Sequence, residues 1–399
     1  MASGCTKGLF AAVVGVIVAA CGSQSSGDHE GGQGGDTDRE SGGSKPAGGS
    51  SSQGGSTSMS GSGGKAGAAG AGMSSAAGGE TSGSAGTAED AGAAGQTGGA
   101  GMGSSVDPPP ELTWTLEDDA FATNAIWGSG PDDVYFVGQG GSITHFNGAI
   151  WELNFPNTSA HLTGIWGSGP NDIHISTYSN AMLHSTGGGV WTKQLLDLGW
   201  TFSDVWGASP TEVVATNGGF IRYGAEGYWG GLEHLPGTYG GVKVSGSSAN
   251  DLWFINPYGE IQHYLGPDNI RVQYLGGSSV SDHAAFSVKA IEVVAVNDIY
   301  IGCKEGIYHS TGDGVWSNQY PWPGDGDYVS DIFALDATTL YATTLKGFVL
   351  RSGGDGRWLR QAIPDTTPAT AASLSAVWAS SPRDVYVAET WGIYHGTAP

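Results

Sequence analysis

The chain has 399 residues, 38 of them acidic and 15 basic, for a formal charge of −23, and its 14 tryptophans and 15 tyrosines all lie between Glu111 and Pro399. Within that segment 29 acidic residues stand against 11 basic ones, a charge near −18, and no run of lysine or arginine reverses it locally. A surface of that sign repels phosphate backbones and anionic lipid, which argues against nucleic acid as a partner.

The first element is "MASGCTKGLFAAVVGVIVAAC", in which Lys7 precedes an apolar run of 13 residues, Gly8 to Ala20, that stops at Cys21. A spanning helix needs roughly 20 residues, so a permanent span is disfavoured. The small residues Ala19 and Ala20 directly before Cys21 resemble a bacterial lipoprotein signal, with "VAAC" at the position of its lipobox. The resemblance implies a signal peptide over residues 1–20, cleavage before Cys21, and lipidation of the Cys21 thiol. Two or three acyl chains anchor stably where one does not. Gly22 follows the cysteine in place of aspartate, and the resemblance then implies an exported protein held at the outer membrane or cell surface.

From Gly22 to Pro110 there is no aromatic residue, no leucine and no isoleucine, and glycine, serine and alanine dominate. Such a chain cannot bury enough apolar surface to offset its conformational entropy. Residues 21–110 are therefore expected to be a disordered tether, with an end-to-end distance of about 50 Å if it behaves as a Gly/Ser coil.

Beyond Glu111 the sequence repeats itself. "IWGSGPDDVYFVG" begins at Ile126 and "IWGSGPNDIHIS" at Ile165; alignment on this motif puts Trp127, Trp166, Trp206, Ser245, Glu292, Phe333 and Trp378 at one position. The spacings are 39, 40, 39, 47, 41 and 45 residues. A period near 40, carried by short segments that alternate with period two, predicts four strands per copy. One such sheet has two apolar faces and cannot cover both, so seven copies must stack face to face around an axis.

The seventh copy ends at Pro399 without a fourth strand, while "LTWTLE" precedes the first copy with Trp114 where Trp151 and Trp191 stand in the others. The expected fold is all-β: a seven-bladed β-propeller over residues 111–399, closed by its N-terminal strand. The segment resembles bacterial propellers of the YVTN, WD40 and BNR-like kinds, and its closure resembles that of WD40 rings; the likeness implies a fold and not a function. In "STGDGVW" and "SGGDGRW", Asp313 and Asp355 stand three residues before tryptophan, closer than in the sialidase Asp-box, and a Gly-rich hairpin turn is the simpler reading.

Two rows of residues tempt a chemical reading. His145, His184, His263, His309 and His395 share one repeat position, with Tyr223 and Arg351 assigned to it in the other two copies; equivalent points on separate blades cannot meet at one ion, so no metal is expected from them. Asp133, Asp172, Asp251, Asp298 and Asp384, with Glu212, recur before the second strand, where a carboxylate is expected to accept backbone N–H bonds in the turn. Cys303 is the only cysteine of the segment, so no disulfide forms within it.

Function is expected where the copies differ, on the rim formed by the loops from second to third strand and from fourth to next first strand. Those loops carry Tyr178, Trp200, Tyr239, Tyr258, Asp282, Trp322, Asp325, Asp327, Tyr328 and Trp391 as candidate ligand-binding residues. Aromatic rings beside carboxylates suit a glycan or a protein segment. No cofactor is expected; the loop around Asp325 and Asp327 is the one candidate for calcium, without the full EF-hand spacing. No nucleophile elbow, zinc-protease pair or phosphate loop occurs, and catalytic residues are not assigned. The sequence thus points to a monomeric, membrane-anchored lipoprotein that binds a glycan or an envelope protein, with a glycoside hydrolase or lyase using rim carboxylates as the alternative.

Overall fold

The computed structural model describes residues 107–118, 122–196, 198–217, 219–235, 243–256, 259–275, 287–322, 324, 326–364, 373–390 and 392–399. The expected signal peptide, Cys21 and nearly all of the expected tether lie outside this set. Seven four-stranded antiparallel sheets follow one another around an axis. The first is built from Thr123–Gly130, Asp133–Gly138, Ile143–Phe146 and Trp151–Asn154, each strand beside its sequence neighbour. The next five repeat that order within 162–195, 204–234, 243–274, 290–321 and 329–362.

The seventh sheet closes the ring. Its strands Leu374–Ser381, Asp384–Glu389 and Ile393–Thr397 are completed by Thr113–Asp118, which pairs antiparallel with the last of them. Trp114 faces Gly396 in that pairing, as Trp151 faces Phe146 in the first blade.

Each of the seven hydrophobic clusters joins neighbouring blades. Tyr135, Val137 and Ile143 of the first blade pack with Leu162, Ile173 and Leu183 of the second, and Val134 and Phe136 pack with Trp378 and Tyr386 of the seventh. A blade therefore has no core of its own, and closure of the ring is what buries both faces of every sheet.

The repeated motif forms these joints. Trp127 lies on Gly167 of the next blade, Trp166 on Gly207, Trp206 on Gly246, and Trp378 on Gly128; a Cβ on Gly128, Gly167 or Gly207 stands 2.6–2.7 Å from the indole. Where another residue stands in place of the tryptophan, the next blade's glycine is replaced as well: Val293 follows Ser245, Ala334 follows Glu292, and Ala379 follows Phe333. Large meets small across each interface, which keeps interior packing density without strain.

The structure also alters two sequence-based expectations. In the third blade Arg222, and not Tyr223, sits across from the second strand at the histidine position, because Val214 pairs with Arg222 just as Tyr135 pairs with His145. The third blade's second and third strands are joined by a shorter connection, and counting along the strand missed it. The aspartate row does not serve the turn backbone. Asp133 instead accepts from His145 Nε2 at 2.7 Å, and the pairs Asp172–His184 and Asp298–His309 do the same at 2.9 and 2.8 Å. A bulge just before each first turn aims a serine hydroxyl at the same carboxylate: Ser129 at Asp133, Ser168 at Asp172, Ser247 at Asp251, Ser380 at Asp384. Burial pushes the Asp133 carboxyl up, but the bonds from His145 and Ser129 outweigh it and hold the group below the usual carboxylate range.

Candidate functional site

The first strands of the blades face the axis and enclose a cavity of about 330 Å³. Most of its lining is the Trp and aliphatic row of the motif, but the cavity also holds Asp204, Lys243, Glu292 and Asp331. Each carboxylate takes a backbone N–H of the following blade: Asp204 from Val244 at 3.0 Å, Glu292 from Ala334 at 3.3 Å, and Asp331 from Val377 at 3.0 Å. Lys243 Nζ stands 3.7 Å from the other oxygen of Asp204. Burial pushes Glu292 up to about 8 and Asp331 up to about 6, against the pull of those backbone bonds. The cavity therefore carries a proton near neutrality on Glu292, beside the Asp204–Lys243 ion pair.

At the end where the first strands begin, a more open recess of about 410 Å³ is lined by Asn124, Thr163, Tyr178, Ser203, Lys243, Val288 and Lys289. Asn124 Nδ2 donates to Leu162 O at 2.7 Å and Thr163 Oγ1 to Phe202 O at 2.9 Å, each bond crossing to the next blade. These bonds make the floor rigid. Tyr178 rises from the loop between second and third strands, is 62 % exposed, and is held by its backbone N–H to His161 O at 2.8 Å. Lys289 is exposed and makes no ion pair among the described residues.

The other expected rim residues divide. Trp322 packs edge-on to Tyr320 at 5.4 Å, with the Arg360 guanidinium 5.3 Å from its ring, so it is partly buried in the joint between blades five and six. Tyr328 lies nearby under Lys304 Nζ at 6.0 Å. Trp200 is half-buried in the connection between blades two and three. Asp327 departs from the expectation of a presented carboxylate: it is fully buried, accepts from the backbone N–H of Tyr328 at 2.8 Å and of Lys346 at 2.9 Å, and has Arg360 at 3.6 Å. It ties two loops together. Tyr239, Tyr258, Asp282, Asp325, Trp391 and Cys21 lie outside the described residues, and so does part of the candidate calcium loop.

Sequence reading missed Lys243, Lys289, Glu292 and Asp331. A signal existed, since the position two residues before the motif's tryptophan runs Ala125, Gly164, Asp204, Lys243, Ala290, Asp331, Ala376, small or charged throughout. It also passed over His174, which is fully buried and pushed down to about 4 by burial and then by the neighbouring His184.

No protein-family model matches the chain, and no curated protein matches it by sequence. Solved structures do. The described ring resembles a catalytically inactive variant of virginiamycin B lyase from Staphylococcus aureus solved with quinupristin, at 14 % identity and a TM-score of 0.63 over 72 % of this chain and 100 % of that one. It resembles YCF48 bound to D1 peptide at 12 % identity and 0.58, over 73 % of this chain and 97 % of the other. It also resembles the RRP9 WD40 repeats at 11 % identity and 0.59, over 73 % and 99 %. Identities this low carry the fold alone, and the fold is that of a seven-bladed propeller of four-stranded blades closed by its N-terminal strand.

Proposed function

We propose that the chain is a cell-envelope lipoprotein, anchored through Cys21, whose propeller binds a glycan or a protein segment across the mouth of its axial cavity. The observation that carries the reading is the recess itself: in a domain of strongly negative charge, the exposed Tyr178 and the exposed Lys289 line one recess, with Lys243, already paired to Asp204, beneath them. A ring offers a stacking surface and the Lys289 ammonium offers a partner for a carboxylate, so the favoured ligand carries an acidic sugar or an acidic side chain. The tether of residues 21–110 gives the domain reach from the membrane. The same fold in YCF48 holds a peptide. For the hydrolase or lyase alternative, the enclosure of Asp327 removes one of the three rim carboxylates it relied on.

The test is binding of the purified full chain to arrays of acidic and neutral glycans and peptides, with turnover measured on each hit. Lys289→Glu and Tyr178→Ala should abolish the hits while leaving the melting curve unchanged. Hits that ignore both substitutions place the ligand elsewhere, and turnover of any hit replaces the binding reading with the enzymatic one. Separately, Cys21→Ser should move the protein from the detergent phase to the soluble fraction; a protein that stays put is not anchored there.

A further inference from the structure

The second blade differs from its sisters at one point. At the second-strand position that faces the third-strand histidine, or Arg222 and Arg351 in the third and sixth blades, the other blades carry Tyr135, Val214, Trp253, Tyr300, Tyr341 and Tyr386, and the second blade carries His174. In three sister blades the aromatic ring stacks on the histidine: Tyr135 on His145 at 3.9 Å, Trp253 on His263 at 3.8 Å and Tyr386 on His395 at 4.2 Å. His174 keeps that place, 4.3 Å from His184 and 16° from parallel, but brings a second pair of ring nitrogens.

Asp172 lies below both rings. His184 Nε2 is 2.9 Å from Asp172 Oδ1 and His174 Nε2 is 3.2 Å from the same oxygen. Two imidazole nitrogens and a carboxylate oxygen, all within 4.8 Å of one another, form the one such cluster among the described residues. Bonds of about 2.0–2.1 Å to a common ion put ligand atoms about 3 Å apart, and the two nitrogen–oxygen distances here, 2.9 and 3.2 Å, have that length. His174 is fully buried; its Nδ1 has no hydrogen-bond partner, and its Nε2 has only the 3.2 Å contact to Asp172. Its other sides are closed by Tyr223, 4.6 Å away, and Trp229, 5.8 Å away. A buried imidazole held by one long contact is poorly satisfied, and its Nε2 lone pair, on the side of Asp172, is open to a Lewis acid.

We propose that Asp172, His174 and His184 form a transition-metal site within the second blade, suited to zinc or another divalent ion that prefers imidazole. Two nitrogens and one oxygen match the donor sets of such ions and leave further positions for water or an outside ligand. Asp172 and His184, 22 % and 15 % exposed at their side chains, give the ion access from the surface. The nearly parallel rings need one adjustment, a turn of the more exposed His184 about χ2 to aim its lone pair. Ser168 donates to Asp172 Oδ2 at 2.6 Å and fixes the carboxylate for a ligand on Oδ1. The row of single histidines on the other blades is unaffected, because each has only one imidazole beside its carboxylate.

The experiment is equilibrium dialysis of the purified full chain against Zn²⁺ and against Co²⁺, with the visible spectrum of the Co²⁺ form. One tight equivalent is expected, with ligand-field bands of a nitrogen-and-oxygen site. His174→Tyr places at this position the residue that four sister blades carry, so the blade should fold, and affinity should fall by at least about 100-fold. His145→Gln, in the first blade, should leave it unchanged. Imidazole NMR of the unmodified protein should show zinc shifting two histidines, His174 and His184, whatever the variants do. Undiminished binding in a folded His174→Tyr, zinc shifts on other histidines, or no equivalent bound at 100-micromolar zinc would each overturn the proposal.

Discussion

Trp127 and Gly167, from consecutive blades, approach so closely that a methyl group on Gly167 stands 2.6 Å from the indole. The glycine of the repeated motif is thus set by the neighbour's tryptophan and not by its own strand. Gly167→Ala should lower stability by about 1–3 kcal/mol through overpacking. Gly169→Ala, two residues on and with no atom within 4 Å of the added Cβ, should be close to neutral. Urea denaturation of the two variants decides it: equal losses would mean that the interlock is not the cause.

The N-terminal strand holds the circle shut. Trp114 is 8 % exposed and belongs to the cluster between blades six and seven, with Leu112, Tyr341 and Val387. Trp114→Ala should cost roughly 3–5 kcal/mol. Deleting residues 111–118 should also leave Ile393–Thr397 as an open edge and promote association. Calorimetry and gel filtration would report both, and an unchanged midpoint with a monomeric deletion variant would show that closure matters little.

Of the Asp–His pairs, the fourth blade's is the most enclosed: Asp251 and His263 side chains are 8 % and 5 % exposed, with Oδ1 and Nε2 2.6 Å apart. Removing the histidine leaves the buried carboxylate with Ser247 as its remaining side-chain donor, so His263→Ala should cost about 1.5–3 kcal/mol. His145→Ala, in the more exposed first blade, should cost nearer about 1 kcal/mol. Chemical denaturation that ranks them the other way would contradict the burial argument.

Glu292 gives the axial cavity a pH signature. Its folded value, pushed up to about 8 by burial, lies above its unfolded one, so the folded state binds the extra proton. Its contribution to stability is fully present below about 4.5 and is lost as pH rises from there to about 8. Asp331, pushed up to about 6, adds to the lower part of the same fall, and Asp204 and Lys243 share the cavity. Thermal melts from pH 5 to 9 should therefore decline in the wild type, and Glu292→Gln should flatten the upper part of the decline and raise the midpoint at pH 8.5. Parallel curves would show that Glu292 is ionised throughout.

The fold was legible because its signals are local. Period-two alternation, a 40-residue spacing and an orphan strand before Thr123 need only the chain itself, and they predict four-stranded blades and a closed ring. The site was less legible. Asp327 reads as a rim carboxylate, but the loop folds it inward onto the backbone of Tyr328 and Lys346. Trp322 reads as a ligand platform and is partly spent on Tyr320 and Arg360. Arg222 escaped notice because pairing register, not spacing, decides which residue faces the neighbouring strand.

By itself the sequence determined that this chain makes seven sheets, none with a core of its own, because the alternation that writes each strand also leaves it with two apolar faces. Only the tertiary structure decided which side chains meet. The tryptophan finds a glycine about 40 residues away, Asp331 finds the N–H of Val377, and His174 finds His184. Those meetings depend on how twisted sheets stack around an axis and on the register within each blade, and neither is written in the spacing of any single copy.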